Sequence, residues 1–209
     1  MKKQIKNILF DLGGVLLNID YLQTVEAFKK LGLQNPEKAF TKEVQAEIFQ
    51  RFEKGEISTQ VFLQALRKKM PKASDDELIN AWNALLGDFP RHRFDFLKEL
   101  SGSYKLGVLS NTNSIHEKEF VKTIDKTVGW KEFTELFEGI CYSHELGYRK
   151  PNSDIFKACL EKLSFNPAQT LFIDDTEEHV LGARNAGLVA LHLASGEAED
   201  LIKQYLKVL

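Results

Sequence analysis

The chain is poor in several features, and each shortage excludes a class of protein. It has two cysteines, Cys141 and Cys159, in 209 residues. A small secreted module stapled by disulfides is therefore excluded. A structural zinc site is excluded too, because it needs more Cys and His at close spacing. Both cysteines are expected to be reduced, buried thiols. Charge of one sign is not in excess: 28 Lys and Arg face 30 Asp and Glu, for a formal net charge of −2. Nucleic-acid binders usually carry a basic surplus, so no nucleic-acid partner is expected. No stretch reaches the ~18–20 apolar residues of a membrane span. Met1-Lys2-Lys3 followed by the apolar run from Ile8 to Ile19 has the outline of a secretion signal. Asp11 interrupts that run, and no small-x-small cleavage site follows it. The expectation is a cytoplasmic protein with no membrane partner. Internal repeats and low-complexity tracts are absent, and proline and glycine are scattered.

What remains is an ordinary globular composition, 43% apolar and 28% charged. Phenylalanine is the one excess, with 15 in the chain, and a disordered protein would be poor in aromatics. The length suits one domain, or one domain with a sizeable insertion. Lys6 to Phe10 reads as a short buried strand, with Gly13-Gly14 close behind. The next 70 or so residues read only as helices. Leu22, Val25, Phe28 and Leu31 recur at helical spacing before Gly32. Val44, Ile48, Phe49 and Phe52 do so before Gly55. Ser58 is a candidate N-cap, and Ser74 with Glu77 forms a capping box.

From Pro90 onward strands alternate with helices. The strands are Leu106–Leu109, Ile140–Tyr142, Leu171–Ile173 and Val189–Leu193. Alternating short apolar strands and helices imply an α/β, Rossmann-like, three-layer core around a parallel sheet. The helical block is then an inserted all-helical cap. The expected boundaries are 1–17 with 90–209 for the core and 18–89 for the cap.

Ligands bind beyond the carboxyl ends of such strands. The residues there are Asp11, Ser110-Asn111 and Asp174-Asp175, with Lys150 just before Pro151 at a helix start. Clustered carboxylates repel one another, and a divalent cation relieves the repulsion. Oxygen-only ligands favour Mg²⁺. A carboxylate can also be a nucleophile that forms an aspartyl-phosphate. Ser110 and backbone amides can hold phosphate oxygens, Lys150 can neutralise charge, and Gly13-Gly14 lets backbone approach a ligand. Each residue also has a plain structural reading. Asp174-Asp175-Thr176 can simply cap a helix, and a Lys before Pro is usually a solvated surface residue.

Four ordered segments resemble the motifs of the haloacid dehalogenase superfamily of hydrolases. They are Phe10-Asp11-Leu12-Gly13-Gly14-Val15, Val108-Leu109-Ser110-Asn111, Arg149-Lys150-Pro151 and Phe172-Ile173-Asp174-Asp175. The segment Phe52 to Ser58 is also similar to the branch holding a bacterial glucose-1-phosphate phosphatase and the phosphatase domain of soluble epoxide hydrolases. The resemblance implies a Mg²⁺-dependent phosphatase of a small phosphorylated metabolite, acting as a monomer or weak homodimer. It makes Asp11 the nucleophile. Mg²⁺ would be held by Asp11, the Gly13 carbonyl and Asp175, with Asp174 behind or binding through water. Ser110, the Asn111 amide, Gly13 and Lys150 would bind the phosphoryl group.

Two positions depart from the pattern. Phosphatases of the superfamily usually carry a second Asp two residues after the first, to protonate the leaving group. Gly13 stands there and can do no acid-base chemistry, so slow turnover is expected. His179 stands where Asn is frequent, either packing on its helix or replacing a polar contact near the site. Two alternatives follow. One is a non-catalytic binding or regulatory module that kept the fold. The other is a metal-free 2-haloacid dehalogenase, disfavoured because Asp174-Asp175 would repel an anionic substrate. Asn18, Asp20, Tyr21 and Phe52 to Gly55 are candidate substrate-facing positions.

Overall fold

Asn7–Phe10 is buried at every position, as is Thr170–Asp174. A strand covered on both faces belongs inside a layered α/β sheet. The computed structural model describes residues 5–34 and 47–208. Its sheet comprises β1 (Asn7–Phe10), β2 (Lys105–Ser110), β3 (Gly139–Tyr142), β4 (Thr170–Asp174) and β5 (Val189–His192). The spatial order is β3-β2-β1-β4-β5, and every pairing is parallel.

The period-2 alternation of the strands sends successive side chains to opposite layers. On one face, Ile8, Phe10, Val108 and Ile173 pack with Leu97, Phe120 and Ile202. The last three come from α5 (Arg91–Ser101), α6 (Ser114–Val128) and α11 (Ala198–Val208). On the other face, Leu9, Leu109, Cys141 and Phe172 pack with Phe156, Cys159 and Val180. Those three come from α9 (Ser153–Leu163) and α10 (Glu177–Asn185). Burying each such side chain stabilises the fold by about 1.5–3 kcal/mol. Both cysteines are free and buried, as expected. Two short helices complete the core, α7 (Trp130–Thr134) and α8 (Ser143–Leu146). No helix among the described residues is long and apolar enough to cross a membrane.

The chain leaves the sheet after β1 and returns before α5 along two paired segments. Asn18 donates its N–H to the Asp88 carbonyl (3.0 Å), and Gly87 donates to the Asn18 carbonyl (2.8 Å). Between them lie α1 (Tyr21–Lys30), α2 (Glu47–Glu53), α3 (Thr59–Lys69) and α4 (Asp75–Asn83). These helices share an aromatic core of Phe28, Phe49, Phe52, Phe62 and Trp82, with the Phe52 and Phe62 rings stacked at 4.3 Å. Ser58 caps α3, and Ser74 with Glu77 forms the capping box of α4.

The inserted helices are bound tightly to the sheet domain. Ile115 of α6 belongs to their apolar cluster. Thr59 and Ser114 hydroxyls lie 3.0 Å apart. His116 of α6 meets Asn83 Oδ1 through its Nδ1 at 2.8 Å.

Several sequence expectations change. Leu22 does not join the buried face of α1; it is 70% exposed. Thr24 takes its place beside the expected Phe28, because the Thr24 hydroxyl bonds the Trp82 carbonyl (3.2 Å) and accepts from the Leu85 N–H (3.0 Å). Val44 lies outside the described residues. β5 ends at His192, one residue short of Leu193. The helices α7, α8 and α11 were not anticipated; the first two are too short for a periodic pattern to register.

Candidate active site

Register places the candidate groups at one edge. Phe10 pairs with Val108 on one side and with Ile173 on the other. Asp11 therefore emerges level with Asp174, and its N–H donates to the Ile173 carbonyl at 2.9 Å. Ser110 ends β2 beside Tyr142 and is buried at 4% exposure. All are at the carboxyl ends of parallel strands, the edge where α/β sheets bind ligands.

Lys150 is the centre of the cluster, and it is not a surface residue: its exposure is 0%. Its ammonium lies 2.6 Å from Asp174 Oδ2 and 2.9 Å from Asp11 Oδ1. A charge buried in this way persists only when paired, which the two carboxylates accomplish. Burial alone would lower the Lys150 pKa, but Asp11 and Asp174 outweigh it and raise it. The backbone is held as firmly. Asn111 Oδ1 accepts the Lys150 N–H at 2.8 Å, and Asn111 Nδ2 donates to the Lys150 carbonyl at 3.0 Å. The Asn111 side chain is thus a clamp on Lys150, a role the sequence reading did not assign to it.

Asp174 is fully buried and saturated. Its Oδ1 accepts from the Thr176 N–H at 2.8 Å. His179 Nδ1 lies 3.0 Å from Oδ1 and 3.1 Å from Oδ2. Burial raises the Asp174 pKa, yet Lys150 and His179 more than offset it and hold it below the usual carboxylate range. Asp11 goes the other way. Burial pushes it well above that range, Lys150 opposes, and the negative charges of Asp174 and Asp175 add to the rise. Asp175 is raised first by burial and then by Asp174.

Three carboxylates therefore surround one ammonium, and the cluster is short of positive charge. Asp11, Asp174 and His179 each offer a ligand atom within 4.8 Å of one another. Asp174 and His179 Nδ1 are spent on each other and on Lys150, so they make a poor cation cage. Asp11 Oδ2 accepts no hydrogen bond among the described residues, and the Asp175 carboxylate meets only the Thr176 hydroxyl, at 3.3 Å. These two acids have carboxylate oxygens that could hold a cation. Gly14 makes room for the Asp175 carboxylate: its φ is +75°, and a Cβ there would overlap that group. The donors are all oxygen, which suits a hard divalent cation.

The remaining candidates divide. Asp20 is the N-cap of α1, accepting from the Leu22 N–H at 3.0 Å. Asn18 bonds Asp88 at 2.9 Å and ties the two linker segments together. Tyr21 is 65% exposed as a whole, yet burial and the charges of Asp175, Asp11 and Glu53 raise its hydroxyl pKa. Glu53, at the end of α2, accepts from Arg149 Nε at 2.9 Å and pairs with its Nη2 at 2.9 Å. Burial raises the Glu53 pKa against that pairing. A side chain at Gly55 (φ +68°) would overlap the His144 carbonyl of α8, so this segment sits directly on the sheet domain beside Arg149.

Comparison with known proteins identifies the family. Residues 5–187 match the family model of the haloacid dehalogenase-like hydrolases. A D-ribitol-5-phosphate phosphatase of Bacteroides thetaiotaomicron is 30% identical over 193 residues, 92% of this chain and 93% of the relative. A sesquiterpene phosphatase of Aspergillus oryzae is 28% identical, covering 92% of each chain. Among solved structures, a haloacid dehalogenase family enzyme of B. thetaiotaomicron in complex with magnesium and inorganic phosphate superposes with a TM-score of 0.85. That pair is 37% identical over 94% of this chain and 98% of the other. The L-2-haloacid dehalogenase of Xanthobacter autotrophicus, 20% identical with a TM-score of 0.63, shares the fold. By sequence, fold and the order of its acidic strand ends, this chain belongs to the haloacid dehalogenase-like hydrolases.

Proposed function

We propose that the protein is a Mg²⁺-dependent phosphatase that hydrolyses a small phosphorylated metabolite, of the sugar- or polyol-phosphate type, through an aspartyl-phosphate on Asp11. The observation that carries this reading is the buried Asp11–Lys150–Asp174 cluster with Asp175 beside it. The D-ribitol-5-phosphate phosphatase among its relatives supports the substrate class. Mg²⁺ held by Asp11, Asp175 and the Gly13 carbonyl would supply the positive charge that keeps Asp11 ionised and orients the phosphoryl oxygens.

Phosphoryl transfer needs mainly positioning and charge neutralisation. Asp11 attacks phosphorus, and the bond from phosphorus to the ester oxygen breaks. The ammonium of Lys150 has three N–H donors. Two go to Asp11 and Asp174, which leaves one for a phosphoryl oxygen. Ser110 and the Asn111 amide hold the others. The leaving alkoxide takes its proton from water, because Gly13 offers none. Water then attacks phosphorus, the bond to Asp11 breaks, and inorganic phosphate leaves with Asp11 restored. The helical block 18–89 serves as the cap over this site, with Tyr21 and Glu53 on the leaving-group side. A metal-free dehalogenase remains disfavoured, since Asp175 next to Asp11 repels a haloacid carboxylate.

The test is a phosphatase screen on a metabolite panel with Mg²⁺, run beside Asp11→Asn. Mg²⁺-dependent phosphate release that Asp11→Asn abolishes is expected. No release by the native protein, or equal release by the variant, overturns the reading.

A further inference from the structure

We propose that His179 is a positioning residue for phosphoryl transfer: its Nδ1–H holds the Asp174 carboxylate in the orientation that fixes the Lys150 ammonium against Asp11. This rests on the phosphatase reading above for its functional part, and on geometry alone for its structural part.

The geometry is a chain of four side chains. His179 Nδ1 lies between the two Asp174 oxygens, at 3.0 and 3.1 Å. Asp174 Oδ2 lies 2.6 Å from Lys150 Nζ, and that ammonium lies 2.9 Å from Asp11. Asp174 and Lys150 are wholly buried, whereas the His179 side chain retains 16% exposure. His179 thus closes the cluster on its outer side. A carboxylate can rotate about its Cβ–Cγ bond. The Thr176 N–H at 2.8 Å restrains one oxygen only. A donor placed between both oxygens restrains the plane. Without it, the carboxylate is held only by the Thr176 N–H on one oxygen and the Lys150 ammonium on the other, so Oδ2 and that ammonium can shift together. Groups placed behind the reacting atoms typically change activity about 10–100-fold when removed.

His179 reaches Asp174 from the first turn of α10 (Glu177–Asn185). The distance in bonds from Cα to Nδ1 of histidine equals that to Nδ2 of asparagine. An asparagine at 179 therefore presents a donor at the same reach, whereas glutamine presents it one carbon farther, and leucine presents none.

The experiment compares His179→Asn, His179→Gln and His179→Leu in a Mg²⁺ phosphatase assay, with melting temperatures measured for each. The expected result is a kcat lowered about 10–100-fold in His179→Leu and His179→Gln, with KM little changed, and largely restored in His179→Asn. In parallel, ¹H–¹⁵N NMR of the metal-free native protein reads the His179 imidazole directly and is expected to show a protonated Nδ1. A native kcat in His179→Leu, or a kcat in His179→Asn as low as in His179→Leu, overturns the inference. So does an unprotonated Nδ1. If the native protein releases no phosphate, the phosphatase reading fails, and the NMR result alone decides whether His179 donates to Asp174.

Discussion

The imidazole of His116 lies flat on the indole of Trp82, with ring centroids 4.7 Å apart and planes inclined by 19°. One ring belongs to the sheet domain and the other to the inserted helices, so this stack is part of the joint between them. The pair is buried, and His116 is only 7% exposed.

Burial holds the His116 pKa down to about 3, against an ordinary 6.5. The folded state thus binds the proton more weakly than the unfolded chain. Stability from this group is complete above pH 6.5 and is lost as pH falls from 6.5 toward 3. Between pH 7 and pH 5 the loss is about 2 kcal/mol. Urea denaturation at the two pH values measures it. In His116→Phe, which keeps the stack and cannot protonate, the fall between pH 7 and pH 5 should shrink by about that amount. An unchanged pH dependence contradicts the assignment.

Lys150→Met leaves Asp11 and Asp174 facing each other without a cation. Breaking a buried ion pair from one side costs about 3–5 kcal/mol. The double variant Lys150→Met/Asp174→Asn should recover part of that loss, because one uncompensated charge is gone. Denaturation midpoints of the three proteins at pH 7 check this. A double variant no more stable than the single one argues against mutual repulsion as the cause.

Gly14 and Gly32 form a matched pair of probes. Both have positive φ, +75° and +93°, but a Cβ on Gly32 meets nothing within 4 Å, whereas one on Gly14 overlaps Asp175. Gly32→Ala should cost only backbone strain, roughly 1–2 kcal/mol, with activity intact. Gly14→Ala should add loss of activity and a higher Mg²⁺ requirement, read from a Mg²⁺ titration of phosphate release. Equal behaviour of the two variants rules out a special place for Asp175.

Glycine at position 13 cannot protonate the leaving oxygen. Such help is typically worth about 10²–10⁴-fold. Rates across a series of aryl and alkyl phosphates should therefore rise steeply as the leaving group becomes more acidic. A flat dependence, with chemistry rate-limiting, means that another group has become the acid.

The strand ends were legible in the sequence. Asp11, Ser110 and Asp174-Asp175 each follow a short apolar run, and a run of that kind is buried whatever packs on it. The helices between β1 and α5 were legible too, because helical spacing replaces strand spacing after the first motif. The depth of Lys150 was not. A lysine before a proline looks solvated until two acids from other strands are seen around it. The same holds for the Asn111 clamp, which joins residues 39 apart, and for the inward turn of Thr24 on α1, which depends on the Trp82 carbonyl.

The sequence by itself determined the class of fold, the order of the chemistry-bearing residues along it and the missing acid at Gly13. These follow from local periodicity and from residue type, which the chain carries without reference to its partners. Only the tertiary structure decided how the charges are shared. It made Asp174 a buried partner of Lys150 and His179, and left the Asp175 carboxylate with the Thr176 hydroxyl. That division depends on which atoms face one another across β1 and β4 and at what depth, and the electrostatics of a buried group follows from its neighbours in space rather than along the chain.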